Sequence, residues 1–142
     1  TYLQRGDHTL LDLIEVRLPL ETAMVALAAQ RATAAQLAEM EQSIEEMAGA
    51  KSLPKRVEAD AKFHELLAES TGNPLFSLLL TTVSVAMRRS RKQTISKTGA
   101  DRALKGHRAI LAAVRAKDSD AARRAMLEHL RMAEEDLQDT QP

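Results

Sequence analysis

Apolar residues recur at three- and four-residue spacing along almost the whole chain, which is the spacing of one face of an α-helix. Helix-favouring residues dominate the composition, whereas the 142 residues include only 5 Gly and 4 Pro. No segment shows the alternating pattern of a half-buried strand. The sequence therefore predicts an all-α fold, an antiparallel bundle of about six helices that forms a single domain over residues 1–142.

Capping and helix-breaking residues set the limits of the six predicted helices. They begin near Asp7, Thr33, Ser52, Asn73, Thr98 and Asp118, and the first four end near Arg31, Met47, Gly72 and Thr94. Pro19 predicts a kink in the first helix. The polar segment Gln93–Gly99 is predicted as the longest loop, and Thr98 with Asp101 as a capping box for the fifth helix.

The charge and residue composition exclude several classes of function. Lys plus Arg and Asp plus Glu each total 20, so no net positive charge attracts this chain to DNA or to an anionic membrane. Aromatic residues make up 2%, which excludes base-stacking surfaces, and the absence of Cys excludes disulfides and thiolate sites. The longest apolar stretches are far shorter than the roughly 20 residues of a membrane span. We expect a cytoplasmic protein.

Four polar residues fall on the apolar stripes of three helices. Asp60 and His64 lie one turn apart on the third helix, while His107 and His129 lie on the inward stripes of the fifth and sixth. His8, near the start of the chain, does not join them. Burying a carboxylate and three imidazoles is unfavourable unless each finds a partner. The pattern therefore predicts a compensating partner inside the bundle.

A divalent metal would be such a partner, because imidazole nitrogens and a carboxylate oxygen suit Zn, Ni, Fe or Mn. Four protein ligands also leave coordination positions open for a small anion. The alternative is that the histidines are ordinary core residues with side-chain or backbone partners. The spacing alone leaves both interpretations open.

Several ordered motifs carry a family resemblance that spans nearly the whole chain. They are residues 15–21 (EVRLPLE), 60–74 (DAKFHELLAESTGNP), 107–114 (HRAILAAV), 118–126 and the His-Leu pair at 129–130. Together they resemble the FCD effector-binding domain of GntR-type transcription regulators, FadR subgroup. Two departures are Gly106, where the family usually has an acidic residue, and Thr71, which interrupts a Ser-Gly-Asn run.

The resemblance implies a metal site formed by Asp60, His64, His107 and His129, with zinc as the first choice and nickel, manganese or iron as alternatives. It implies a homodimeric helical bundle that binds a small carboxylate metabolite beside the metal. Effector binding would alter DNA binding by an N-terminal winged helix that this chain does not contain. On this basis we expect a sensing domain and not an enzyme.

Two arginines are predicted to contact the effector. Arg17 shares the inward phase of the first helix, and its guanidinium group suits a carboxylate. The alternative is that Arg17 pairs with Glu21 four residues later as a structural brace. Arg89 is a second predicted contact, whereas the surrounding Arg88–Lys92 cluster is interpreted as a solvated helix end.

Two other functions remain as alternatives. In a helical-bundle metalloenzyme the open metal position would activate water. Hydrolysis would also need a general base besides the metal ligands. The sequence offers no such base, since Glu65 and Glu69 are predicted to face outward. In a metal-free dimerisation module the histidines would serve only as core residues.

Overall fold

The computed structural model describes the backbone of residues 10–98 and 100–138. Within these ranges it describes all side chains except those of residues 10, 11, 84, 85, 87, 89, 90, 93, 94, 97, 98, 137 and 138. Six helices and no strand are found in the described residues. They are α1 (Leu10–Arg31), α2 (Ala34–Gly49), α3 (Leu53–Ser70), α4 (Pro74–Thr98), α5 (Asp101–Arg115) and α6 (Ser119–Gln138). The all-α prediction is confirmed; the predicted helix start near Asp7 and His8 lie outside the described residues.

The predicted starts of α2 and α3 and the predicted end of α3 are confirmed. The Thr33 hydroxyl accepts a hydrogen bond from the Gln36 backbone at 3.1 Å, and the Gln36 side chain accepts one from the Thr33 backbone at 2.9 Å. Ser52 caps α3 with a single bond, its hydroxyl accepting a hydrogen bond from the Lys55 backbone at 3.4 Å. Gly72 has a φ of 70°, a left-handed conformation that glycine adopts without strain, and this ends α3 as the sequence predicts.

The prediction that Gln93–Gly99 forms a long loop between the fourth and fifth helices is wrong. Helix α4 continues through Gln93 to Thr98, because Arg91 and Ile95 on its inner face are buried against the bundle and hold this polar segment in helical form. Helix α5 begins at Asp101 with Ala100 as its N-cap, which makes no side-chain capping hydrogen bond. The predicted Thr98–Asp101 capping box is therefore wrong as well.

The turn between α5 and α6 uses an unusual residue. Lys117 has a φ of 58°, and its backbone N–H donates to Val114 at 3.0 Å while that of Asp118 donates to Ala113 at 3.1 Å. These two bonds form the Schellman motif, in which the left-handed position normally holds glycine. The Asp118 side chain accepts a hydrogen bond from the Ala121 backbone at 3.0 Å, which confirms the predicted start of α6.

The helices pack so that polar residues from five of them meet near the centre of the bundle. Helix α1 packs along α6 and also contacts α3, while α3 lies between α2 and α4, and α5 packs along α6. The most deeply buried apolar side chains include Met24, Met40, Ile44, Met47, Phe63, Leu66, Leu67, Ile110 and Met126. In the part of the chain that the structure describes, none of the helices combines the length and apolar character needed to cross a bilayer.

Candidate metal centre

The four residues predicted from the sequence as metal ligands converge on one point inside the bundle. Asp60 and His64 come from α3, His107 from α5 and His129 from α6, and all four are buried. Each offers one ligand atom, and these atoms all lie within 4.8 Å of one another. The i, i+4 spacing on α3 places Asp60 and His64 on the same face, so only α5 and α6 have to supply the remaining ligands.

The arrangement fits a divalent transition metal. Bonds of about 2.1 Å to one ion place two ligand atoms at most about 4.2 Å apart, so the cluster is within about 1 Å of coordinating distances. His64 Nε2 and both ring nitrogens of His107 have no hydrogen-bond partner in the protein. Nε2 of His107 lies 3.0 Å from Asp60 Oδ1, but the two are not aligned as a hydrogen bond. A metal would satisfy Nε2 of His64 and one ring nitrogen of His107. A buried polar atom without a partner destabilises a fold by about 1–3 kcal/mol.

The electrostatics of the centre favour neutral imidazoles beside a carboxylate. Burial lowers the pKa of His107, and the contact with Asp60 only partly opposes this effect. Burial and the neighbouring rings of His107 and His64 lower the pKa of His129 well below its ordinary value. Burial raises the pKa of Asp60, but His107 and Arg91 outweigh this effect and lower it well below the usual range. Near neutral pH the centre thus offers two neutral imidazoles and one carboxylate, the protonation states that metal binding requires.

An aromatic side chain forms one wall of the centre. The ring of Phe63 stacks on that of His107, with centroids 4.2 Å apart and an angle of 13° between the planes. The rings of His107 and His129 meet at 66° with centroids 4.9 Å apart. This packing restricts the rotation of His107 and keeps water from its inner face.

Glu21 is a residue of the centre that the sequence prediction missed. It is completely buried on α1, and its Oε1 atom is hydrogen-bonded to Nδ1 of His64. Its Oε2 atom accepts a hydrogen bond from Arg17 Nε at 2.9 Å, so the brace proposed as an alternative role for Arg17 is present. Burial raises the pKa of Glu21, but His64 and Arg17 outweigh this effect and lower it well below its ordinary value. The sequence signal for Glu21 is its spacing of four residues from Arg17 and eight from Leu13, which places all three on the same inward face of α1.

Arg91 is the second residue that was missed. Its Nε atom lies 2.6 Å from Asp60 Oδ2, and its side chain is only 6% exposed. Arg88 and Lys92 are exposed, as predicted for the Arg88–Lys92 cluster, but Arg91 is buried and the helix continues beyond this cluster to Thr98. Its position four residues before the buried Ile95 was the signal that it faces inward. The side chain of Arg89, a predicted effector contact, lies outside the described side chains.

Gly106 leaves room for one of the four residues. A Cβ atom at this position would lie 2.9 Å from Cγ of His129 and closer still to its Nδ1. Real Cβ atoms essentially never come so near a neighbour. The His129 ring can therefore occupy its observed position because Gly106, the residue before His107, has no side chain.

A cavity of about 330 Å³ adjoins the centre between α3 and α4. Its lining residues are Val57, Ala61, Glu65, Leu80, Thr81, Arg88 and Arg91. Arg91 contributes to this cavity and also contacts Asp60. The buried side chain of Arg91 thus links the cavity to the four-residue centre.

The FCD domain family model matches residues 12–132. The chain belongs to the FCD domain family. This match covers α2 to α5 completely and most of α1 and α6, and it includes Asp60, His64, His107 and His129. It confirms the family to which the sequence motifs pointed.

Two curated relatives of this FCD domain are regulators of transcription. The galactonate operon transcriptional repressor of Escherichia coli K12 is 34% identical over 116 residues, which are 80% of this chain and 51% of the relative. The HTH-type transcriptional regulator LutR of Bacillus subtilis 168 is 35% identical over 132 residues, which are 88% of this chain and 60% of the relative. The chain thus spans between half and three fifths of these proteins, and both are named as regulators of transcription, as expected from the sequence.

Two solved structures share the fold of this FCD domain. A GntR protein of Streptococcus agalactiae superimposes with a TM-score of 0.71 at 32% identity, covering 85% of this chain and 56% of that one. The E. coli protein McbR/YncC superimposes with a TM-score of 0.75 over 84% of this chain and 63% of that one. Its identity is 20%, so this likeness concerns the fold alone.

Proposed function

We propose that this FCD domain is the ligand-sensing domain of a cytoplasmic bacterial GntR-type transcription regulator that binds a divalent metal and a small carboxylate. The observation that carries the proposal is the convergence of Asp60, His64, His107 and His129, with buried ring nitrogens that lack a protein partner. The names of the curated relatives support the regulatory role. Assignment to the FadR subgroup remains part of the proposal.

Asp60, His64, His107 and His129 would hold the metal, with zinc as the first choice and nickel, manganese or iron as alternatives. When bound, such an ion supplies positive charge and open coordination positions to which a carboxylate oxygen can bind. The chain's own contribution is to hold four donors in a buried site and to lower the pKa of His107 and His129, which favours their neutral form. The stacked ring of Phe63 limits access of water.

The surroundings support a small carboxylate as the effector, and the name of one relative suggests a hydroxy carboxylate. The cavity of about 330 Å³ is near the lower end of the range for small-molecule sites, about 300–1,000 Å³. Arg91 places a positive group between this cavity and Asp60. Arg17 and Arg89 remain predicted effector contacts, although Nε of Arg17 is already bonded to Glu21. One relative is named for the galactonate operon, and galactonate is a polyhydroxy carboxylate.

Transmission to DNA would require a homodimer and a DNA-binding winged helix that lies outside this sequence. Leu75, Leu78 and Leu79, on the first turns of α4, are 52–62% exposed, and such a group of exposed leucines is typical of an interaction surface. We propose that a second copy of the domain covers it. An effector shifts the DNA-binding equilibrium only if it binds one arrangement of the dimer more tightly than the other.

Thermal unfolding of the zinc-loaded and zinc-free domain tests the proposal. We expect galactonate, or another hydroxy carboxylate of similar size, to raise the Tm of the zinc-loaded form, whereas the uncharged sugar galactose should not. A ligand at 100 times its Kd stabilises a protein by about 2.7 kcal/mol, which corresponds to a shift of several degrees. If a panel of such acids leaves the Tm unchanged in both forms, the proposed carboxylate sensing is refuted.

A further inference from the structure

A chain of buried polar contacts links helix α1 to the candidate metal ligand His64. Arg17 Nε donates to Glu21 Oε2 at 2.9 Å, and the other carboxylate oxygen of Glu21 is hydrogen-bonded to Nδ1 of His64. The three side chains are between 0% and 8% exposed. Water therefore has little opportunity to replace any of these contacts.

We propose that Glu21 is a positioning residue that fixes the orientation and tautomer of His64, so that its Nε2 atom faces the metal centre without a proton. The purpose of this arrangement rests on the proposed metal-binding function. Arg17 holds the other carboxylate oxygen of Glu21 and thereby acts on the centre indirectly, through Glu21.

The donor and acceptor chemistry determines which nitrogen carries the proton. An ionised carboxylate only accepts hydrogen bonds, so a hydrogen bond to Glu21 requires the proton on Nδ1 of His64. The opposite ring nitrogen, Nε2, has no hydrogen-bond partner in the protein. In the neutral ring this leaves a free lone pair on Nε2, and His64 offers one ligand atom to the cluster with Asp60, His107 and His129. Histidines that bind metals commonly donate their second N–H to a carboxylate in this way.

The position of Glu21 also determines the orientation of the His64 ring. Helix α1 packs against α3, and Glu21 contacts Nδ1 of His64, the ring nitrogen other than the unpartnered Nε2. Because Arg17 holds Oε2, rotation of the carboxylate away from His64 would break two contacts at once. The ring is therefore held before any metal arrives, which lowers the ordering required on binding.

The test has two separate readouts, the tautomer of His64 and the affinity for zinc. Long-range nitrogen–proton NMR of the zinc-free domain at pH 8 assigns the proton to Nδ1 or Nε2 of His64. Zinc affinity is measured by competition with a chromophoric chelator. The variants are Glu21→Leu, which retains most of the volume but cannot accept a hydrogen bond, and Glu21→Gln, which keeps an acceptor oxygen. Glu15→Gln, an exposed residue on the same helix, is the matched control.

We expect an Nδ1 proton on His64 in the wild type, and loss of that preference in Glu21→Leu. Zinc affinity should fall about 10- to 100-fold in Glu21→Leu and less in Glu21→Gln, and should be unchanged in Glu15→Gln. The partial rescue by glutamine separates positioning from simple packing. If Glu21→Leu fails to fold because Arg17 is left buried and unpaired, the double variant Arg17→Met, Glu21→Gln removes both charges. Its zinc affinity is expected to match that of Glu21→Gln or fall below it.

A proton on Nε2 of His64 in the zinc-free wild type, in either the neutral or the charged ring, would overturn the inference. So would a Glu21→Leu variant that binds zinc as tightly as the wild type. If the wild type binds no metal at all, the proposed function fails, while the tautomer measurement still decides whether Glu21 orients His64.

Discussion

The substitution Gly106→Ala places two physical effects in opposition. Alanine is favoured over glycine inside a helix by about 1 kcal/mol, which would stabilise α5 if nothing else changed. In this structure, however, the added Cβ would lie 2.9 Å from Cγ of His129 and nearer still to Nδ1. The His129 ring must therefore move, and overpacking of this kind typically destabilises a protein by about 1–3 kcal/mol.

The two effects together predict a net destabilisation between about 0 and 2 kcal/mol, which lowers the Tm by up to roughly 8 °C for a domain of this size. The displacement of His129 also predicts a loss of zinc affinity of about tenfold or more, comparable to the loss of an orienting partner. Unfolding in urea measures the first quantity, and chelator competition measures the second.

Gly49→Ala is the matched control, because a Cβ at this helical position meets nothing within 4 Å. It should stabilise the domain by up to about 1 kcal/mol and leave zinc affinity unchanged. If Gly106→Ala stabilises the domain as Gly49→Ala does and also binds zinc normally, His129 does not occupy the position described and the reasoning fails.

Two further predictions concern the α5–α6 turn and Asp60. Lys117→Gly should stabilise the domain by about 0.5–1 kcal/mol in urea unfolding, because glycine adopts the left-handed conformation of this Schellman position without strain; a fall in stability would contradict this. Arg91→Met removes the partner of Asp60 Oδ2 and should lower zinc affinity about 10- to 100-fold, whereas the exposed Arg88→Met should leave it unchanged; equal losses in the two variants would exclude a specific role for Arg91.

The sequence predicts the fold well where local chemistry determines it. The Thr33–Gln36 capping box and the left-handed Gly72 follow from rules that depend on a few neighbouring residues, and both are confirmed. Lys117 could not be predicted in the same way, because the left-handed position it occupies is normally marked by glycine. The continuation of α4 through Gln93–Thr98 was missed because it depends on burial of Ile95 and Arg91 by other helices.

Only part of the candidate site could be predicted from the sequence, because some of its residues are revealed by the helical period and others only by contacts between helices. The helical period directly reveals polar residues on otherwise apolar helix faces. These residues are Asp60, His64, His107 and His129. Glu21 and Arg91 also face inward, but a charged residue on a helix is more often solvated, and Glu21 was interpreted only as the partner of Arg17. Their contacts with His64 and Asp60 join residues 43 and 31 positions apart, which periodicity along one helix cannot show.

The central claim is that the four converging residues bind one divalent metal. Elemental analysis of the domain purified without a histidine tag, after reconstitution with zinc, nickel or manganese, tests it most directly. We expect about one metal per chain in the wild type and its loss in Asp60→Ala, His64→Ala, His107→Ala and His129→Ala, with His8→Ala as the matched control that keeps it. A wild type that retains no metal under any of these conditions would contradict the claim and make the cluster a set of core histidines.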